Sequence, residues 1–521
     1  MFNWIYKHQK FVLSLLISFF FISIIPICII AGYDCASGDD YNYGSGPHLA
    51  YLSTGSVLAA VSAACKTTVD IWHNWQGTWF DVFAFCLHPE VFSDSAYVIV
   101  PYIFMIMQIA AVCYFSYYFL KVKWKIDGFY WLMVAAIFLL FSFQLVPSQK
   151  AAFFWWVGCI HYCMPFCLSL VTIALTDRFL TLNKLSDLIW ISLGYTLLGG
   201  ATYPASLLVF LSGIILLLVK YMIENRSDKK DLFLIIPYVL ELIGLGISMI
   251  APGNANRAAA DLAEGAEPAG GLIATIVSSI IFSVQDAVTY FFAEKSFILI
   301  ALIIVVLITC AFFKQNRFNI NNHVFAHPLL FVITLFLLNA SVYAPRMYTG
   351  NTPSSGYMNF NLWICFSCMI AIVIYLCGWA YTVKSIKFRL PEYSETIGTI
   401  LSVIAIMFIM VLGRHGVKEY TDYICLDYYL SGQADDFRDQ MRLQKQLMED
   451  PTVTDVVVPE INFEQGPLMH MPVFSDPENI NSYMTSAFYG KNSCRSIPRA
   501  EWFEKYNIDN IDNDNLLEQK Q

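Results

Sequence analysis

Two adjacent carboxylates, in Ser37-Gly38-Asp39-Asp40-Tyr41-Asn42-Tyr43-Gly44, follow the first long apolar run of a chain in which only 14% of residues are charged. A carboxylate at the edge of an apolar stretch is suited to taking a proton from a hydroxyl presented at a lipid surface. The same residues also fit a solvated Asp-Asp turn after a helix. Cations follow later in the chain. Arg257 ends Ala251-Pro252-Gly253-Asn254-Ala255-Asn256-Arg257, where a Pro-Gly turn stops an apolar segment, and Arg346 stands in Tyr343-Ala344-Pro345-Arg346, just past another. A guanidinium offers a fork of donors that matches a phosphate, although an arginine at a helix end also serves as a plain anchor. Lys150 is a third cation suited to a phosphate. Close by are Trp155, Trp156, Tyr162 and His161, whose aromatic faces suit sugar rings; His161 also reads as a helix-packing residue.

The elements that must position these groups are membrane helices. Of 521 residues, 57% are hydrophobic, and several runs approach the ~20 apolar residues that cross a bilayer as helix. Eleven spans are expected, at 11–31, 97–120, 129–146, 156–175, 187–200, 204–223, 232–250, 295–313, 325–343, 357–380 and 396–413. With the N-terminus cytoplasmic, sixteen lysines and arginines fall on the inner side, from Lys7 and Lys10 through Arg317 to Lys384, Lys387 and Arg389. Five fall outside before the last span: Lys66, Lys150, Arg257, Lys295 and Arg346. That asymmetry orients the chain, with the C-terminal tail extracytoplasmic. The apolar stretch 271–292 would reverse every later loop if it crossed, so it is expected to lie on the outer surface as an interfacial or re-entrant helix. The first run reads as a retained signal anchor, with no cleavage site after it. With no basic stripe in the sequence, nucleic acid is not expected as a partner.

The first outer loop, 32–96, is long and crowds Trp72, Trp75, Trp79, Phe80, Phe83 and Phe85 together, as a helix at headgroup level or a small packed subdomain would. The tail, 415–521, is polar and acidic. A helical stretch at 434–450 and a strand-like 454–458 predict a small α/β element, frayed over its last dozen residues. Of 14 cysteines, Cys35, Cys65, Cys86, Cys425 and Cys494 could pair in an oxidising exterior, while Cys159, Cys163 and Cys167 share a helix face and read as packing residues. Glu241 is the one carboxylate at membrane depth.

Asp39-Asp40-Tyr41 after the first span, Trp75-x-Gly77-x-Trp79 in the long outer loop, Pro252-Gly253-Asn254-x-x-Arg257 and an outer arginine at Arg346 together resemble the GT-C superfamily of integral-membrane glycosyltransferases. More narrowly, they are similar to an uncharacterised bacterial family related to the O-antigen glucosyltransferases. The likeness covers most of the membrane part and implies an all-α, GT-C-like polytopic fold. It also implies a polyprenyl-phosphate-sugar donor and an envelope polysaccharide or glycolipid acceptor on the outer face of the cell membrane. By that resemblance Asp39 would be the general base and Asp40 would orient it or the donor sugar. Arg257 and Arg346, with Lys150 as a weaker third, would hold the leaving phosphate. Tyr41, Trp75, Trp79, Trp155 and His161 would meet the sugar or the acceptor. No cofactor is required, and no metal ligands are assigned, although two adjacent acids also suit a divalent cation. The chain departs from the family pattern at Thr78, where related sequences carry a basic residue.

Two other classes remain open on sequence. An oligosaccharide polymerase or ligase would also place outer arginines near the membrane, without needing an acid pair after the first span. A transporter or flippase would show paired helix breaks, charge partners within the membrane and an internal repeat, of which the sequence has little.

Overall fold

A computed structural model describes residues 1–263, 270–316, 322–349, 355–383 and 392–506. Helix dominates, because backbone groups in an apolar run have no water to bond and must pair within their own segment. Among the described residues nine helices are long and apolar enough to cross a membrane: Gln9–Tyr33, Ala96–Lys123, Trp156–Leu182, Tyr203–Ile223, Lys229–Met249, Leu272–Phe291, Phe297–Gln315, Gly356–Thr382 and Thr396–Glu419. Eight of these coincide with expected spans. The remaining three expected spans are shorter apolar helices, Tyr130–Gln144, Leu185–Gly199 and Pro328–Ser341. The chain is therefore an all-α multi-pass membrane protein in its membrane part.

Hydrogen bonds and ion pairs mark the two ends of the bundle. At the end holding the N-terminus, Asn3 bonds Gln315 at 2.6 Å and Gln9 accepts from the Phe129 amide at 3.2 Å. Basic residues assigned to the inner side find acids there: Lys123 meets Asp177 at 3.0 Å, Arg178 meets Asp187 at 2.9 Å, and Lys220 meets Asp231 at 2.7 Å. Arg317, Lys384, Lys387 and Arg389 lie outside the described residues. At the opposite end Gln144 bonds the Ser23 carbonyl, and the Thr421 hydroxyl bonds the Phe143 carbonyl.

The helix Leu272–Phe291, set aside on sequence, is long enough to cross, yet its two flanks are tied to one end of the bundle. The Gly270 amide donates to the Tyr348 carbonyl at 3.2 Å, just past Pro328–Ser341, and Lys295 pairs with Glu419 at 3.2 Å, at the end of Thr396–Glu419. Inside the bundle, Leu185–Gly199 and Ile235–Met249 approach so closely that a Cβ on Gly199 would stand 2.5 Å from the Glu241 carbonyl oxygen. Small residues permit that spacing. Glu241 is fully buried and accepts a hydrogen bond from Ser206 at 3.1 Å.

The tail carries helices Thr421–Leu430, Gln433–Glu449, Ile480–Phe488 and Arg499–Tyr506, with strands Asp455–Pro459 and Ser493–Ile497 paired in parallel. A parallel pair needs a crossover, and Ile480–Phe488 lies within it. Phe437, Met441 and Met448 point one face of Gln433–Glu449 inward. The residues beyond 506, expected to fray, lie outside the described part. All 14 cysteines are free thiols, so the pairs open to Cys35, Cys65, Cys86, Cys425 and Cys494 are not formed.

The tail is also bound to the acid-bearing loop. Lys445 places Nζ 2.5 Å from Glu90, whose side chain is 1% exposed, and Glu90 accepts the Ala36 amide at 2.9 Å. Phe488 stacks on His48 with ring centroids 4.1 Å apart. Replacing Lys445 with Met leaves a buried carboxylate without its counter-charge, so Lys445→Met is expected to cost about 3–5 kcal/mol, read as a lowered unfolding midpoint in detergent.

Candidate functional site

The acid pair opens helix Asp39–Thr54, where unsatisfied amides and the helix dipole favour negative charge. The chain enters that helix through Gly38 at φ +54°, and a Cβ there would stand 2.0 Å from Met471 Sδ. Only glycine meets both demands, so Gly38→Ala is expected to destabilise the fold by about 1–3 kcal/mol, measurable as a lower melting point. Ser37 ties the same turn to the tail, its hydroxyl bonding the Met469 carbonyl and the Met471 amide.

The two carboxylates differ in what surrounds them. Asp40 is buried and accepts from the Tyr97 hydroxyl at 2.7 Å, the Val157 amide at 3.3 Å and the Ser37 amide at 3.4 Å. Burial pushes it up to about 8 despite those bonds. Asp39 is half-buried, and among the described residues no protein donor bonds its carboxylate. Burial raises it to about 6, with the Arg257 guanidinium pulling the other way. Asp40 is thus the held group and Asp39 the open one, ionised at neutral pH.

Arg257 is aimed by two glycine turns that lock together. A Cβ on Gly77 would stand 1.8 Å from the Ser248 carbonyl oxygen, and one on Gly253 would stand 2.2 Å from the Trp75 amide nitrogen. Asn254 joins them, accepting from the Gly77 amide at 3.0 Å and donating to the Ser248 carbonyl at 2.8 Å. The spacing in Trp75-x-Gly77 and Pro252-Gly253-Asn254 therefore reflects backbone contact between two segments far apart in sequence. From the helix Gly253–Ala263, Arg257 donates to the Gln76 side-chain oxygen and lies 6.0 Å from the Trp75 ring centroid.

Arg346, in the short helix Ala344–Thr349, has its guanidinium 5.1 Å from the Tyr357 ring centroid. Burial depresses its pKa, and the like charge of Arg257 acts in the same direction, while Tyr162, Tyr357 and Asp261 oppose them. Asp39 thus lies within the field of Arg257, and Arg257 within that of Arg346. Three groups more than 300 residues apart at their extremes come into one electrostatic neighbourhood.

The other expected site residues divide. Trp75 is 40% exposed beside Arg257 and keeps a ring face open. His161 contributes Nδ1 to Asp81 at 2.6 Å. Lys150 turns to the tail, its Nζ 3.9 Å from Glu464 and its charge felt by His470. Tyr41 corrects its expected role. It is 1% exposed, packed on Phe488 and bonded to the Tyr489 hydroxyl, because the tail covers it. Trp79 braces helices, with Nε1 donating to the Gly244 carbonyl at 3.1 Å and its ring against Gly200. Trp155 packs on Gly158 with its indole nitrogen buried. Thr78, the departure from the family pattern, is buried beside this loop.

Three residues of the neighbourhood escape a sequence reading. Gln76 and Tyr97 are neutral and act only as partners of Arg257 and Asp40. Asp81 did carry a signal, a lone carboxylate within the aromatic run Trp79–Phe85. No protein-family model matches the chain, and no curated protein matches it.

Proposed function

We propose that the protein is a membrane glycosyltransferase that moves a sugar from a polyprenyl-phosphate donor to an envelope polysaccharide or glycolipid acceptor on the outer face of the cell membrane. The observation that carries this reading is the open carboxylate of Asp39 lying within the field of Arg257, which in turn acts on Arg346, at one end of an all-α membrane bundle. A base and a cationic anion-holding pair are what an acceptor hydroxyl and a departing phosphate require.

In this mechanism the acceptor oxygen attacks the anomeric carbon and its proton passes to Asp39. The bond from that carbon to the phosphate oxygen breaks with its electron pair leaving on the phosphate, where Arg257 and Arg346 offset the charge. In-line attack inverts the sugar. Asp40 holds the first turn of the acid helix through Tyr97, Val157 and Ser37, and Trp75 offers a stacking face. The N-terminus is cytoplasmic in this reading and the tail extracytoplasmic. Eleven crossings follow if Leu272–Phe291 lies along the outer surface, which the attachment of both its flanks to the acid-bearing end favours.

Purified protein in vesicles with a polyprenyl-phosphate sugar and an envelope glycan extract tests the reaction. Free polyprenyl phosphate and a glycan heavier by one sugar are expected; with neither product across a panel of sugars the assignment falls. Movement of intact donor across the bilayer without transfer would indicate a flippase instead.

A further inference from the structure

Beside the groups already described stands a second pair able to move a proton. Asp81 is completely buried in helix Trp79–Phe85, and its Oδ2 lies 2.6 Å from His161 Nδ1. Its other oxygen is buried, with the Thr202 backbone the one other group acting on the carboxylate. Burial pushes Asp81 up to about 6, against the lowering effect of His161. A carboxylate in that setting keeps a proton on Nδ1 and fixes the ring, which leaves Nε2 as the working atom. Among the described residues no protein group bonds Nε2, and the His161 side chain keeps 19% of its surface open.

The ring is linked to both halves of the site through aromatic neighbours. On one side it meets Tyr162 edge-on at 4.8 Å, and Tyr162 is near enough to Arg346 to act on it electrostatically. On the other it lies 6.0 Å from Phe85, which is 5.0 Å from Tyr43, and Tyr43 feels both Asp39 and Arg257. The charged and titratable groups facing the pair are thus Asp81 with Tyr203 near it, Tyr162 on the helix of His161, and Arg346 beyond Tyr162.

We propose that His161, oriented by Asp81, is the general acid for the departing phosphate, an inference that rests on the glycosyl-transfer reading. As the bond between the anomeric carbon and the phosphate oxygen breaks, the phosphate takes the Nε2 proton of the imidazolium. Asp39 takes the acceptor's proton at the other end of the same displacement. One proton is gained and one lost, and exchange with water resets both groups. Asp81 is the positioning residue: it stabilises the imidazolium and holds Nε2 toward the phosphate.

The test compares wild type, His161→Gln and Asp81→Asn in vesicles with two donors. One is the polyprenyl-phosphate sugar; the other has a dinitrophenyl group in place of the lipid, so that its departing phosphate is a weaker base. With the lipid donor, His161→Gln is expected to lose about 10²–10⁴-fold in kcat and Asp81→Asn a smaller part of that, with KM little changed in either. With the aryl donor the deficit of His161→Gln should shrink by about tenfold, since a weaker base needs less protonation. An equal deficit with both donors assigns His161 to packing and overturns the proposal, as does transfer by His161→Gln at the wild-type rate. Were the wild type to use neither donor, the glycosyl-transfer reading itself would fail, a result distinct from either of these.

Discussion

Asp39→Asn should lose about 10²–10⁴-fold in sugar transfer while inserting and folding as the wild type does, because it removes a proton acceptor and changes little else. The carboxylate accepts no protein hydrogen bond among the described residues, so the isosteric amide leaves no buried donor stranded. Wild-type activity should fall as the pH drops through about 6, since only the ionised carboxylate accepts a proton and burial holds Asp39 near that value. The variant should lack this acid limb. Initial rates against pH in vesicles check both points, and wild-type turnover by a correctly inserted Asp39→Asn protein would remove Asp39 from the mechanism.

Arg257→Gln should cost about 10²–10³-fold in kcat, the usual consequence of removing one preorganised group that meets charge developing on a leaving group. Its second effect separates it from a mere packing change. Arg257 is what pulls Asp39 down against its burial, so without the guanidinium the acid limb of the remaining activity should move above pH 6. Arg257→Lys should recover part of the rate and most of the limb position, because an ammonium restores charge without the fork that reaches Gln76 or the plane that lies over Trp75. An unshifted limb in Arg257→Gln would mean that the two groups do not act on each other.

The tail is the clearest case of structure adding what pattern could not. Its long helix and first strand are visible in residues 434–458, but no periodicity announces that Lys445 reaches Glu90 or that Met471 lies over Gly38. Both contacts bear on the loop leading into Asp39. Tyr41 shows the converse error. Its place next to the acid pair suggested ligand contact, yet successive residues on a helix point in different directions, and this one turns beneath Phe488 and Tyr489.

By itself the sequence determined the polytopic helical class, the acid pair at the end of the first span, and the two arginine turns, since apolar length and glycine or proline punctuation are local properties. Only the tertiary structure decided that Arg257 acts on Asp39, that Lys150 turns to the tail, and that Asp81 backs His161 across a gap of 80 residues. Such pairings depend on how each helix is rotated and how closely its neighbours approach. Those quantities come from packing many segments at once, and no single stretch of residues contains them.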